Sequence, residues 1–331
     1  MTVTWEVLGT RARGLGTHLL SEGRIATVMR VSSGSDFIRE LGETPYAPFL
    51  PPRGGAVRQL EVGITRSLAD RMSTLARWAG PDAASLAPLL LEQDARNVRV
   101  ALRGAVGELT PDQRIAGSIP TPTLGRRALE ALARAESPGA LAATLVAWRH
   151  PLGSVLLSEA RRTHPDLFRL EVALTRCLAL KTSVGARRAG EAMRDFVSET
   201  IDTQNLTTAL LLAGARSESA TEDLFVAGGR SLGRRHFVGA ASSADRLACV
   251  EALARATRGT VFERPLRESP TTPAGVSKRI LEARIGRLAR DSRAEPVSAF
   301  PVLLFILRLR REASLVRRAL WGAHLARGAL R

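Results

Sequence analysis

Apolar residues recur every three or four positions in three well-separated stretches of this sequence. The positions are, in chain order, Leu60, Ile64, Leu68, Met72 and Leu75, then Leu170, Leu174 and Leu178, then Leu281, Ile285 and Leu288. Within each stretch these positions fall on one face of a helix, and such a stripe is typical of a helix that packs against a core. The pattern therefore predicts three amphipathic helices.

The three stretches are copies of one motif, in which Leu-Glu is followed five residues later by arginine. The copies are Leu60, Glu61 and Arg66; Leu170, Glu171 and Arg176; and Leu281, Glu282 and Arg287. They lie 110 and 111 residues apart, and a threefold recurrence at a nearly constant interval indicates an internal repeat. The sequence thus predicts three homologous helical units, 1–115, 116–225 and 226–331, arranged around a pseudo-threefold axis.

A second landmark follows each Leu-Glu copy. It consists of Asp94 with Asn97, then Asp202 with Asn205, then Glu312, which is followed by a leucine where the earlier copies have Asn. Residues three apart share a helix face, and Asp and Asn compete with the backbone inside helices. We expect these side chains to have a structural role, bonding to a neighbouring helix or capping one.

A glycine comes ten or twelve residues after each acidic position, at Gly104, Gly214 and Gly322. Because glycine commonly occupies the left-handed position that ends a helix, these three glycines are predicted to end helices.

The composition supports an all-α fold. The chain of 331 residues is 45% hydrophobic but only 4% aromatic, and its apolar residues are mainly Leu, Ala and Val. Leu, Ala, Arg and Glu are good helix formers because they lose little rotamer freedom on a helix.

The formal charge of +16 leaves two interpretations open. The arginines either form solvated helix faces or contact nucleic acid or another anionic surface. Base-stacking aromatics do not alternate with the arginines, and Tyr46 is the only tyrosine, which argues against single-strand binding. A duplex-binding protein would need phosphate contacts only, so that alternative stays open.

The sequence contains no motif for catalysis or cofactor binding. It has no phosphate-binding glycine loop followed by Lys, no nucleophile elbow, and no histidines or cysteines at metal-ligand spacing. We therefore predict no catalytic, cofactor-binding or metal-binding residues. The longest apolar run, 299–307, is too short to span a bilayer, and no signal peptide is predicted.

The repeated pattern resembles the C-subunit family of V/A-type ATPases, also called AC39, whose eukaryotic members are the d subunits. The segments that resemble the family are 12–15, the Asp94–Gly104 tract and the closing stretch 301–320. The resemblance implies a funnel-shaped, non-catalytic central-stalk protein that couples the central shaft, formed by the D and F subunits, to the membrane rotor ring. It also implies a peripheral position on the cytoplasmic face of the membrane and no bound cofactor.

The alternative function is a basic helical-repeat protein that binds nucleic acid, which the ATPase interpretation makes unlikely. That alternative predicts arginines concentrated on one concave face and a steep salt dependence of binding.

Overall fold

The computed structural model describes residues 5–51, 56–107, 109–162, 166–214, 221–268 and 272–328. It is 77% helical, and no strand occurs within these ranges. The predicted all-α fold class is confirmed.

Sixteen α-helices are found in the described ranges. They are α1 (Trp5–Gly16), α2 (Glu22–Met29), α3 (Gly34–Gly42), α4 (Val57–Ala79), α5 (Ala87–Val106), α6 (Pro111–Ala116), α7 (Arg126–Ala133), α8 (Pro138–Ala147), α9 (Gly153–Ala160), α10 (Leu167–Ala189), α11 (Glu191–Leu212), α12 (Arg234–Ala241), α13 (Arg246–Ala256), α14 (Glu263–Glu268), α15 (Pro273–Ala294) and α16 (Phe300–Gly328).

The order of short and long helices repeats three times. Three short helices are followed by two long ones in α1–α5, in α7–α11 and in α12–α16, with α6 between the first two sets. The Leu-Glu motif lies on the first long helix of each set, and the acidic landmark lies on the second. The sequence motifs therefore occupy matching places in the three sets.

Several helices begin at a side chain that accepts a backbone N–H. Ser33, Ser137 and Asp245 accept the N–H groups of Asp36, Ala140 and Ala248, at 3.1, 3.1 and 2.8 Å. Such caps satisfy donors that have no partner within the helix, which fixes where α3, α8 and α13 begin.

The hydrophobic core divides into three clusters, and each contains residues from more than one set of helices. One cluster joins α5 to α7–α10 through residues such as Val98, Leu102, Leu141 and Leu170. A second joins α11 to α12–α15 through Leu206, Leu210, Phe237, Leu253 and Ile280. The third and largest joins α16 to α1, α3 and α4 and also includes parts of α10 and α11; it contains Leu8, Leu60, Phe196, Leu303 and Val316.

The second long helix of each set thus completes the core of the next set. For the last set the next one is the first, so α16 at the end of the chain packs on α1–α4 at its beginning. The three sets therefore form a closed series of contacts.

The predicted helix-ending role of the glycines is wrong at two of three positions. Gly104 lies inside α5, which continues to Val106, and Gly322 lies inside α16. A Cβ on Gly104 would overlap the Arg114 side chain, so its lack of a side chain serves close packing. Gly214 lies just after α11 and has φ 75°, as expected for a helix end.

Candidate functional site

The first acidic landmark holds the segment that leads into α7. Asp94 is buried in α5, and its carboxylate accepts hydrogen bonds from the hydroxyls of Thr121, at 2.5 Å, and Thr123. The Nε2 atom of the buried His150 lies 3.3 Å from the same carboxylate. Buried carboxylates need such partners because desolvation without them is costly. We call this contact between α5 and residues 119–124 the first joint.

Asn97 completes the first joint by bonding to both backbone groups of one residue. Its side-chain amide donates to the carbonyl of Ile119 at 2.7 Å and accepts the N–H of Ile119 at 2.9 Å. Asn205 makes the same two hydrogen bonds with Val226: it donates to the carbonyl at 2.8 Å and accepts the N–H at 3.0 Å. The repeated asparagine therefore pins one backbone residue of the following segment in both places.

Asp202 makes the second acidic contact, on α11. It accepts the backbone N–H groups of Arg230, Ser231 and Leu232, at 2.9, 2.8 and 3.2 Å. A Cβ on Gly229 would overlap the Asp202 carboxylate, so this close approach requires glycine. Asp202 and Asn205 together hold residues 226–232, the segment before α12, and we call this the second joint.

Glu312 on α16 makes the third contact, with the beginning of the chain. Its carboxylate accepts the backbone N–H of Leu20 at 2.5 Å, the Tyr46 hydroxyl at 2.8 Å and the Arg71 guanidinium at 2.8 Å. Burial, with the Glu312 charge added to it, raises the pKa of the Tyr46 hydroxyl well above its ordinary value. Because Glu312 links the last helix to residues more than 200 positions earlier, we call this the closing joint.

A second matched pair of contacts follows the same cyclic order. Arg99 of α5 donates to the Thr175 hydroxyl of α10 at 2.9 Å, and Arg317 of α16 donates to the Thr65 hydroxyl of α4 at 3.0 Å. Thr65 and Thr175 occupy the same position in their copies of the Leu-Glu motif. Burial lowers the pKa of both arginines.

The remaining motif residues have unequal surroundings in the three copies. Leu60 and Leu170 are fully buried, whereas Leu281 is half-buried and Ile280 takes the core position. In the third copy, the core position is therefore taken by the residue before the motif leucine.

The motif glutamates also differ. Glu171 pairs with Arg103 of α5 at 2.5 and 2.8 Å, which holds the pKa of Glu171 below its ordinary value. Glu282 pairs with Arg311 at 2.6 Å. Glu61 is half-buried on α4.

The motif arginines lie nearer the surface. Arg66 is exposed, and Arg176 is exposed and contacts Asp223. Arg287 is half-buried and pairs with Glu199 at 2.8 Å. The motif positions are thus brought to equivalent places in the fold, but they do not converge on one site.

Buried ion pairs connect the long helices. The carboxylate of Glu92 on α5 pairs with the guanidinium of Arg310 on α16 at 2.9 Å. Burial alone would raise the pKa of Glu92. The charges of Arg310 and Arg96 outweigh this effect and hold the pKa at about 2. Glu199 of α11 pairs with Arg284 of α15 at 3.2 Å, and here burial prevails and raises the pKa of Glu199.

The described part of the chain contains no group of three or more His, Cys, Asp or Glu residues placed to hold a metal ion. Its larger cavities are surface grooves of 690 Å³ beside α9 and α10 and 540 Å³ beside α4 and α6. Within the same residues, no helix has the length and apolar character needed to cross a membrane. The polar groups at the joints are engaged in holding the chain together.

Sequence reasoning found Asp94, Asn97, Asp202, Asn205 and Glu312 because they recur. It missed their partners: Thr121, Thr123, His150, Tyr46 and Arg71. The hydroxyl residues and His150 occur at one joint only, so no repeat could reveal them.

A closed series of three helical sets, with buried acidic contacts between successive sets, defines a helical-repeat protein. Comparison with known families matches residues 8–326 to the ATP synthase (C/AC39) subunit family, and the chain belongs to this family.

Its relatives share one name. The chain is 25% identical over 324 residues to the C subunit of the V-type ATP synthase of Deinococcus radiodurans, covering 96% of this chain and 86% of that protein. It is 29% identical over 233 residues to proteins of the same name from two strains of Thermus thermophilus, covering 70% of this chain and 69% of theirs.

Proposed function

We propose that this chain is the central-stalk rotor component of a V/A-type ATPase or ATP synthase, where it couples the central shaft to the membrane rotor ring. Its partners are then the ring subunits and the D and F subunits of the shaft, and it contacts the membrane only peripherally, on the cytoplasmic face. Membership of the ATP synthase (C/AC39) subunit family and the names of the relatives support this role.

The observation that carries the proposal is the closed series of joints. Asp94, Asp202 and Glu312 each tie the second long helix of one set to the beginning of the next, and Glu312 ties the end of the chain to its start. A close-packed interior has low compressibility and transmits strain. The joined ends add a contact between the first and last sets that an open array lacks. A coupling element must resist twisting in this way.

The proposed role is non-catalytic. The buried carboxylates are engaged by hydroxyls, backbone amides or arginines within the protein, and this arrangement serves cohesion. We also propose that the units 1–115, 116–225 and 226–331 are homologous, which the threefold order of short and long helices supports.

The test uses cells that lack this chain, and it measures ATP hydrolysis by the soluble catalytic part and ATP-driven ion transport in membrane vesicles. We expect the catalytic part to retain hydrolysis while transport is lost, and expression of the wild-type chain to restore transport. Transport at the wild-type rate without the chain would overturn the proposal.

A further inference from the structure

The outward face of α10 differs from the matching faces of α4 and α15. Leu180 and Val184 are 63% and 37% exposed, one turn apart on α10. At the repeat positions of Leu180 the other two helices carry Asp70 and Asp291. Residues four apart share a face, so α10 presents an apolar strip where its sister helices are polar.

Val184 shows the same contrast. Its repeat positions hold Thr74 on α4 and Glu295 just after α15. The apolar side chains on α10 are therefore not a requirement of the repeated fold, since two of the three copies keep the fold with polar residues there.

The apolar strip is flanked by cations. The exposed cations of α10 are Arg169, Arg176, Lys181, Arg187 and Arg188. Among the described residues, Arg176 alone in this group has an acidic partner, Asp223. The one acidic residue of α10, Glu171, is engaged by Arg103 of α5. This face is therefore positive as well as apolar.

A groove of 690 Å³ lies at the beginning of the same helix, and it reaches Arg176, one turn before Leu180. Its apolar lining includes Phe168, which is 51% exposed, and Val172, and its wall carries Asp166 and Glu159. A flat bilayer would not fill a concave groove. A protein segment with apolar side chains can fill it.

We propose that the outer face of α10, from Phe168 to Arg188, is a docking surface for an acidic amphipathic helix of another protein. The partner helix would place its apolar residues on Leu180, Val184 and the groove, and its carboxylates beside the flanking cations. The 23 residues of α10 span about 34 Å, which accommodates several turns of such a helix. The proposal goes beyond the rotor role and does not depend on it.

The two lysines of the sequence allow binding at this surface to be measured by chemical labelling. The sequence contains Lys181 on α10 and Lys278 on the sister helix α15, and both are exposed. An amine-reactive reagent can therefore report, by mass spectrometry, whether a ligand covers α10, while Lys278 serves as the internal control.

The experiment uses the full chain and a synthetic acidic amphipathic peptide about as long as α10, with a scrambled peptide of equal composition as control. We expect the amphipathic peptide to bind and to slow labelling of Lys181 without affecting Lys278. Binding of the scrambled peptide with equal affinity, or equal protection of both lysines, would overturn the proposal.

The matched variant is Leu180→Asp with Val184→Thr, which gives α10 the residues of α4. We expect it to melt like the wild type and to bind the peptide about tenfold more weakly, because the apolar contact is lost. The charge variant Arg187→Glu with Arg188→Glu should weaken binding similarly, whereas Arg290→Glu with Arg293→Glu on α15 should not. Unchanged affinity in both α10 variants would contradict the assignment.

Phosphatidylserine vesicles and a DNA duplex serve as competing ligands. Binding of either with the same dependence on Leu180 and Val184, and stronger than that of the peptide, would replace the protein partner by a lipid or nucleic-acid surface and overturn the proposal. If the chain failed to restore ion transport but bound the peptide at α10, the rotor role would be wrong and the docking surface would be supported.

Discussion

The second joint and the closing joint both fix the second long helix of one set to the beginning of the next set, but they use different chemical groups. At the second joint, Asp202 accepts three backbone amides from a segment about 30 residues further along the chain. At the closing joint, Glu312 accepts one amide, the Tyr46 hydroxyl and the Arg71 guanidinium, which lie more than 200 residues earlier. The second joint relies on backbone amides, whereas the contact between the ends of the chain adds a buried ion pair.

The difference has a physical reason. The segment at the second joint is tethered to α11 by a short connection, so little entropy is lost when it is placed. The two ends of the chain have no such tether, and charged hydrogen bonds are stronger than neutral ones. A buried ion pair also penalises any misplacement of the two groups, because each would then be buried unpaired.

The largest expected effect is at the closing joint. Glu312→Ala leaves Arg71 buried at 7% exposure without its carboxylate, and we expect a loss of about 3–5 kcal/mol in the free energy of unfolding, measured with urea. The double variant Arg71→Met with Glu312→Leu should lose clearly less, because no charge is left unpaired. A double variant that is less stable than Glu312→Ala would contradict this explanation.

The pair of Glu92 with Arg310 should give the next largest effect, and it depends on pH. The folded-state pKa of Glu92, about 2, lies below its ordinary value of 4.5, so its stabilisation is present above pH 4.5 and is lost as the pH falls towards 2. That contribution is about 3 kcal/mol, and Glu92→Gln should remove this part of the acid dependence.

Glu199 is the control with the opposite sign. The pKa of Glu199 is raised in the folded state. Its contribution to the free energy of unfolding is therefore present below the ordinary pKa and is lost as the pH rises through the folded-state pKa. Unfolding curves from acidic to neutral pH should therefore separate Glu199→Gln from Glu92→Gln. Identical pH profiles for the two variants would show that these pairs do not behave as the structure indicates.

At the second joint we expect a smaller loss. Asp202→Ala removes the acceptor of three backbone amides and should cost about 2–3 kcal/mol, measured by urea unfolding. Asp202→Asn keeps one oxygen acceptor and serves as the matched control, with a smaller loss. If Asp202→Ala proved more damaging than Glu312→Ala, the comparison between the two joints would be reversed.

The asparagines should give the smallest and most nearly equal effects. Asn97→Ala and Asn205→Ala each remove two hydrogen bonds to one backbone residue, and each should cost about 1–2 kcal/mol. Thermal melting of the two variants side by side checks this. A large effect at one position only would show that the first and second joints are not equivalent.

Sequence periodicity predicted the long helices and the acidic positions because both recur every 108 to 111 residues. It could not predict the closing joint, since Tyr46 and Arg71 pair with Glu312 only through the fold. The glycine rule was wrong at Gly104 because the side chain of Arg114, from a different helix, decides the packing there. Local patterns thus predict helices and repeated positions, whereas the partners of those positions depend on contacts between distant parts of the chain.

The most direct test of the central claim is purification of the tagged chain from membranes of its own organism in mild detergent, with mass spectrometry of the associated proteins. The rotor role predicts recovery of the ring protein and of the D and F subunits of the shaft, and their loss when the closing joint is broken by Glu312→Ala. Recovery of nucleic-acid-binding proteins in their place, with no ATPase component, would contradict it.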